Sequence, residues 1–364
     1  MKVFVVVGTR PEAIKMAPLY KALRAAPGVE ALLVSTGQHR QMLDQVFSWF
    51  GLAADEDLAI MQPQQTVASV ISKAVAGLDS LIERHKPDCV LGQGDTTTVM
   101  ATALAAFARD VPFGHVEAGL RTYDNRHPYP EEGFRQMVSR VAAWHFAPTQ
   151  RAADCLKAER VAGAIQVVGN TVIDALLMTA SGAARLPAGL DLKRPRTVLI
   201  TGHRRENIGK RFEDAFGAIA DLAAEFKDVD FVYPVHLNPN VKSAAHAILQ
   251  GKDNVHLIEP VPYPEIVALM KRATFILTDS GGIQEEAPTL KVPVLVMRDM
   301  TERQEAVEAG AARLVGAERE KIVFESRKLL LSEKARQGMI VEKNPFGDGD
   351  AAQRIVAILQ AASF

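Results

Sequence analysis

Three acidic side chains stand where proton transfer between carboxyl groups would need them. Asp95 lies in Gly92-Gln93-Gly94-Asp95-Thr96, Glu117 in His115-Val116-Glu117-Ala118-Gly119, and Glu131 in Pro128-Tyr129-Pro130-Glu131-Glu132. Each sits just after an apolar run or in the polar stretch that follows one, positions that can converge on one cleft. Carboxyl groups sharing a desolvated site push their pKa values apart, which separates an acid from a base. Taken alone, Asp95 also suits a helix N-cap, and residues 115–136 also suit a charged surface loop. A second set of residues suits an anion. In Gly8-Thr9-Arg10-Pro11-Glu12-Ala13-Ile14-Lys15, Arg10 and Lys15 would bracket a helix N-terminus, where Thr9 and Glu12 have capping-box spacing and Pro11 fits a first helical turn. His203 precedes Arg204 and Arg205. Ser280, Gly281 and Gly282 offer unencumbered N–H groups to a diphosphate, with Glu286 placed to accept from ribose hydroxyls and Arg303 after the next strand. Neither phosphate-loop template fits, because Thr97 occupies the third glycine position of the dinucleotide fingerprint and no GxxxxGK[ST] occurs. There is no HExxH, and Asp348-Gly349-Asp350 is too short for a calcium loop.

These residues need a scaffold that carries them just beyond strand ends. Short β-branched runs alternate with helical patterns, which predicts βαβ units and parallel sheets. Strands are expected at Lys2–Val7, Ala31–Ser35, Cys89–Leu91, Phe113–Val116 and Gln166–Val168. After the Gly- and Pro-bearing linker Ser181–Arg196, further strands are expected at Thr197–Ile200, Phe231–Tyr233, Val255–Ile258, Phe275–Leu277, Val294–Met297 and Leu314–Val315. A chain of 364 residues has room for two domains. Ligands of open α/β sheets bind beyond the carboxyl ends of the strands, so two such domains predict a site in the cleft between them. With 42 basic and 43 acidic residues the net charge is −1, and aromatics make up 6%. No global field or aromatic-studded basic stripe draws nucleic acid or an anionic membrane. Two cysteines, in no metal-site spacing, fit a reducing compartment, and the apolar run Val3–Val7 is too short for a signal core or a span. A soluble cytoplasmic protein is expected.

Eight segments then combine: GTRPEAIKMAPL (8–19), GDTTTVMATALAAF (94–107), GHVEAGLRT (114–122), PEEGFRQ (130–136), GNTVIDAL (169–176), TGHRREN (201–207), YPVHLNPNV (233–241) and TDSGGIQEEAP (278–288). In this order, over nearly the whole chain, they resemble the non-hydrolysing UDP-N-acetylglucosamine 2-epimerases. The resemblance implies a GT-B fold: two Rossmann-like doubly wound domains, residues 1–169 rejoined by a C-terminal helix over 351–364, and residues 170–350 binding UDP, with the active site in the interdomain cleft. It implies an isomerase that interconverts UDP-N-acetylglucosamine and UDP-N-acetylmannosamine, by anti elimination of UDP to 2-acetamidoglucal and syn re-addition. Such an enzyme needs no cofactor, neither nicotinamide nor metal, and supplies N-acetylmannosamine units for cell-surface polysaccharide. By motif position the resemblance makes Asp95, Glu117 and Glu131 the acid/base carboxylates, which of them abstracts and which returns the proton being left open. It adds His203 to the catalytic set and assigns Arg10, Lys15, His203, Ser280, Gly281, Gly282, Glu286 and Arg303 to the UDP-sugar. A regulatory UDP-N-acetylglucosamine site at Gln38, Gln41, Glu132, Arg204 and His236 and a homodimer are also implied. Ile266 stands where the family places an aromatic near uracil. The alternatives are a hydrolysing epimerase releasing UDP and N-acetylmannosamine, a retaining GT-B glycosyltransferase, and a catalytically silent UDP-sugar binder.

Overall fold

The computed structural model describes residues 1–37, 40–62, 65–182, 184–202 and 209–362, with the side chains of Arg40 and Gln41 excepted. It divides into two compact units, Met1–Met178 with Phe346–Phe364, and Thr179–Pro345.

The first unit is built on seven parallel strands: β1 (Lys2–Val7), β2 (Glu30–Ser35), β3 (Glu56–Asp57), β4 (Cys89–Gln93), β5 (Phe113–Val116), β6 (Trp144–Ala147) and β7 (Ala164–Val167). Their order is β3-β2-β1-β4-β5-β6-β7. Val3 to Val7 are wholly buried, the continuous apolar run expected of a strand covered on both faces. Helix Arg10–Ala25 follows β1 and buries Ile14, Met16, Leu19 and Leu23, each side chain contributing about 1.5–3 kcal/mol. Two strands lie outside the sequence expectation. β3 is a two-residue edge, and β6 carries Trp144 and His145 in a four-residue stretch without a clean apolar run. Pairing of β6 with β5 and β7 fixes that strand, which local sequence does not announce.

The second unit repeats the plan with six parallel strands: β8 (Arg196–Thr201), β9 (Val229–Pro234), β10 (Val255–Ile258), β11 (Phe275–Thr278), β12 (Val294–Val296) and β13 (Ala312–Leu314), ordered β10-β9-β8-β11-β12-β13. Phe216, Phe231, Tyr233 and Phe275 fill its core.

In each sheet the order reverses once, between β1 and β4 and between β8 and β11. The loops leaving those strands diverge there, which opens a crevice that a ligand can enter. Residues 8–10 and 94–96 lie at the first reversal and residues 279–282 at the second. The first unit is completed from the far end of the chain. Asn170 N–H donates to the Phe346 carbonyl at 2.7 Å, Asp174 Oδ1 accepts from Ala352 N–H at 2.8 Å, and Gln360 reaches the Pro27 carbonyl at 3.1 Å. Helix Ala351–Ala361 thereby joins helix Arg10–Ala25. Helix Thr171–Ser181 begins within this unit, so the compact division falls at Met178, inside a helix, and not at residue 169.

Candidate active site

β4 ends at Gln93, and Gly94, at φ 83°, turns the chain so that Asp95 leaves the sheet beside β5. The helix that follows, Thr97–Ala108, is capped by Thr96, whose hydroxyl accepts from Val99 N–H. Asp95 is therefore not the cap. Its Oδ2 instead lies 2.5 Å from Nη2 of Arg135, and Arg135 Nη1 lies 3.0 Å from Glu132. Arg135 and Glu131 sit one turn apart on helix Glu131–Val138, which places Glu131 on the same side as the residue that holds Asp95. Oε2 of Glu131 is buried and has no hydrogen-bond partner among the described residues.

Glu117 follows β5 with φ 64°, a left-handed conformation that costs a residue with a Cβ on the order of 1–3 kcal/mol and recurs at functional sites. Its Oε2 forms an ion pair with Lys15 and accepts from Asn170 Nδ2 at 3.0 Å. A Cβ placed on Gly94 would stand 3.9 Å from Glu117 Oε1, so the Asp95 loop and the Glu117 carboxylate are neighbours. The structure thus brings together Lys15, Asp95, Glu117 and, through Arg135, Glu131. Arg10 is exposed at the same helix start as Lys15.

The stretch 115–136 is only partly a solvated loop. Residues 123–127 and Tyr129 are exposed, but His115 and Glu132 are fully buried and Arg121 pairs with Glu159 at 2.6 Å. Burial by itself would raise the pKa of Glu132. Hydrogen bonds from Gln136, Thr122 N–H and Tyr123 N–H, together with the Arg135 charge, outweigh it and hold the group below the usual carboxylate range.

In the second unit Ser280 caps helix Gly281–Glu286 without using its hydroxyl for the cap. Arg303 bonds Glu285 at 2.9 Å and passes under the helix start so closely that a Cβ on Gly281 would come within 2.8 Å of its Cζ. Glu302 lies between Arg298 and Arg303. Burial opposes its charge, but the Arg298 hydrogen bond and the two guanidinium charges bring its pKa down to about 2. Glu286 is buried and accepts from the Tyr263 hydroxyl, while Ile266 is half-buried on the helix that Tyr263 begins. His236 is exposed. Gln38, His203, Arg204 and the Gln41 side chain lie outside the described residues. Among the described residues no group of three or more His, Cys, Asp or Glu is placed to hold a metal, and no helix is long and apolar enough to cross a membrane.

Arg135 and Asn170 were not singled out by residue type. A usable signal exists for both: Arg135 follows Glu131 at i, i+4, and Asn170 stands in the loop just beyond β7, as Asp95 and Glu117 stand just beyond β4 and β5.

The family described as UDP-N-acetylglucosamine 2-epimerase matches residues 21–360. The UDP-N-acetylglucosamine 2-epimerase of Escherichia coli K12 is 49% identical over 370 residues, which cover 99% of this chain and 98% of that protein. The crystal structure of UDP-GlcNAc 2-epimerase from Neisseria meningitidis bound to UDP-GlcNAc superposes with a TM-score of 0.92 at 43% identity, covering 100% of both chains. MurG of Acinetobacter baumannii, at 13% identity and a TM-score of 0.60 over 99% of both chains, shares the fold alone. Two doubly wound parallel units of the GT-B class and a family match over most of the length agree, and the chain belongs to the UDP-N-acetylglucosamine 2-epimerase family.

Proposed function

We propose that the protein interconverts UDP-N-acetylglucosamine and UDP-N-acetylmannosamine by inverting C2 of the sugar, with UDP leaving and returning in the same turnover. The observation that carries this reading is the pair of carboxylates at the first sheet reversal, Asp95 and Glu117, each held by a cation, Arg135 and Lys15 respectively. A C2 proton is poorly acidic, so a fixed carboxylate must take it while the C1–O bond to UDP breaks, which gives 2-acetamidoglucal. Return of UDP to C1 and of a proton to the other face of C2 gives the epimer. Asp95, Glu117 and Glu131 supply the acid and base, and by motif position His203 joins the catalytic set.

The departing diphosphate gains negative charge, and oriented N–H groups and cations stabilise it most where water is excluded. Ser280, Gly281 and Gly282 offer the N–H groups, and Arg10, Lys15, His203 and Arg303 the positive charge. Glu286, oriented by Tyr263, accepts from the ribose.

Proton NMR of the reaction in deuterated water tests this. Expected is an epimer that carries deuterium at C2 and is still attached to UDP. Accumulation of free N-acetylmannosamine and UDP would replace this reading with the hydrolysing one, and UDP released only when an acceptor sugar is added would point to a glycosyltransferase.

A further inference from the structure

The two chain neighbours of Asp95 are each held by a buried side chain that the reaction above does not use. On one side His115, wholly buried on β5, bonds the Gly94 carbonyl through Nε2 at 2.7 Å. The Gly94 N–H donates to the Val116 carbonyl at 3.0 Å, so both polar groups of Gly94 are taken by β5. A carbonyl can only accept, which puts the proton of the ring on Nε2. Burial drives the His115 pKa down to about 3, against the weaker pull of the Gly94 bond, so the ring stays neutral and this tautomer persists at working pH. On the other side the Thr96 hydroxyl donates to Oε1 of Glu12, also buried. Oε2 of Glu12 accepts from Gly8 N–H at 2.8 Å and Thr9 N–H at 2.7 Å, which ties Thr96 to the loop leaving β1.

We propose that His115 and Glu12 are positioning residues that set the Asp95 carboxylate for proton transfer, acting through Gly94 and Thr96. The proposal rests on Asp95 being an acid/base group of the epimerase reaction. Asp95 cannot shift along or away from β4 without breaking one of these bonds, and its carboxylate then keeps one place against Arg135. Proton transfer falls steeply with misplacement, by about 100-fold for 1 Å, whereas nucleotide binding by other residues does not sense the shift. The clamp therefore acts on kcat and leaves KM and UDP affinity alone.

The test compares His115→Met, which keeps volume but has no donor, with His115→Gln, whose Nε2 falls where the imidazole Nε2 lies. Expected is a kcat at least about tenfold lower for His115→Met with KM within about twofold of wild type, and recovery to within about threefold by His115→Gln. Thr96→Val against Thr96→Ser repeats the comparison on the other side and decides the matter if His115→Met does not fold. A kcat within twofold of wild type in folded His115→Met, or in Thr96→Val, overturns the clamp. A loss that His115→Gln or Thr96→Ser fails to recover overturns it as well. A wild type that shows no deuterium exchange removes the reaction and the clamp together, whereas an active wild type beside an equally active His115→Met removes the clamp alone.

Discussion

Asp95 and Glu117 differ in what compensates them. Asp95 is held by one guanidinium shared with Glu132, and Glu117 by Lys15 and an amide, Asn170. Asp95→Asn keeps the shape but can neither take nor carry a proton as an acid/base group. Turnover should fall about 100- to 10,000-fold while UDP affinity by calorimetry stays within about twofold; unchanged epimerisation would remove Asp95 from the mechanism. Glu12 makes a different prediction, about stability. Burial lifts its pKa from 4.5 to about 7, against hydrogen bonds from Thr96, Gly8 and Thr9. The folded state therefore binds this proton more tightly than the unfolded chain. The stabilisation is fully present below pH 4.5 and is lost as pH rises through 7, on the order of 3 kcal/mol in all. Glu12→Gln removes that titration, so its stability relative to wild type should rise between pH 4.5 and 8. Denaturant midpoints of both proteins at the two ends of that range check the sign, and a difference that stays flat would contradict the buried-acid account.

Helix starts carry several of the groups proposed to meet the UDP-sugar, and two of them are built differently. The start of Arg10–Ala25 turns Glu12 back onto Gly8 and Thr9, so the N–H groups of the two residues leading into the helix are taken by its own side chain. The start of Gly281–Glu286 has no side-chain cap, and Gly281 is glycine because Arg303 lies against it. Gly281→Ala should push Arg303 off Glu285 and weaken UDP binding about tenfold or more, a loss of roughly 1.4 kcal/mol, read directly by calorimetry. The strand ends that carry Asp95, Glu117 and the Ser280 loop follow from apolar runs with clear boundaries in the chain. β6 and β3 do not, because their residues become strand only through neighbours that supply the hydrogen bonds. Arg135 was hard to see for the same reason. Its place is decided by a helix that begins after two prolines, and by a bond to a residue 40 positions earlier in the chain.

At the scale of the molecule, the unit Thr179–Pro345 is one continuous segment, whereas the first unit needs both ends of the chain. Deleting residues 346–364 removes the Phe346 carbonyl from Asn170 and Ala352 from Asp174, and uncovers the helix Arg10–Ala25. Calorimetry should then show the transition of the first unit lowered by several degrees and that of the second unchanged; equal shifts in both would count against two separately stabilised cores. A net charge of −1 has the same local character, since cations such as Lys15, Arg135 and Arg303 are each set against a particular carboxylate. The sequence by itself determined the class of fold, the two successive sheets and the residue types available at the strand ends. Hydrophobic periodicity and turn chemistry act over a few residues and are written locally. Only the tertiary structure decided that Asp95 is paired with Arg135 and not spent as a cap, that Glu117 meets Lys15 and Asn170, and that His115 and Glu12 grip the neighbours of Asp95. Those contacts join residues up to 102 positions apart, and sheet order, which no local pattern encodes, is what brings them within hydrogen-bonding distance.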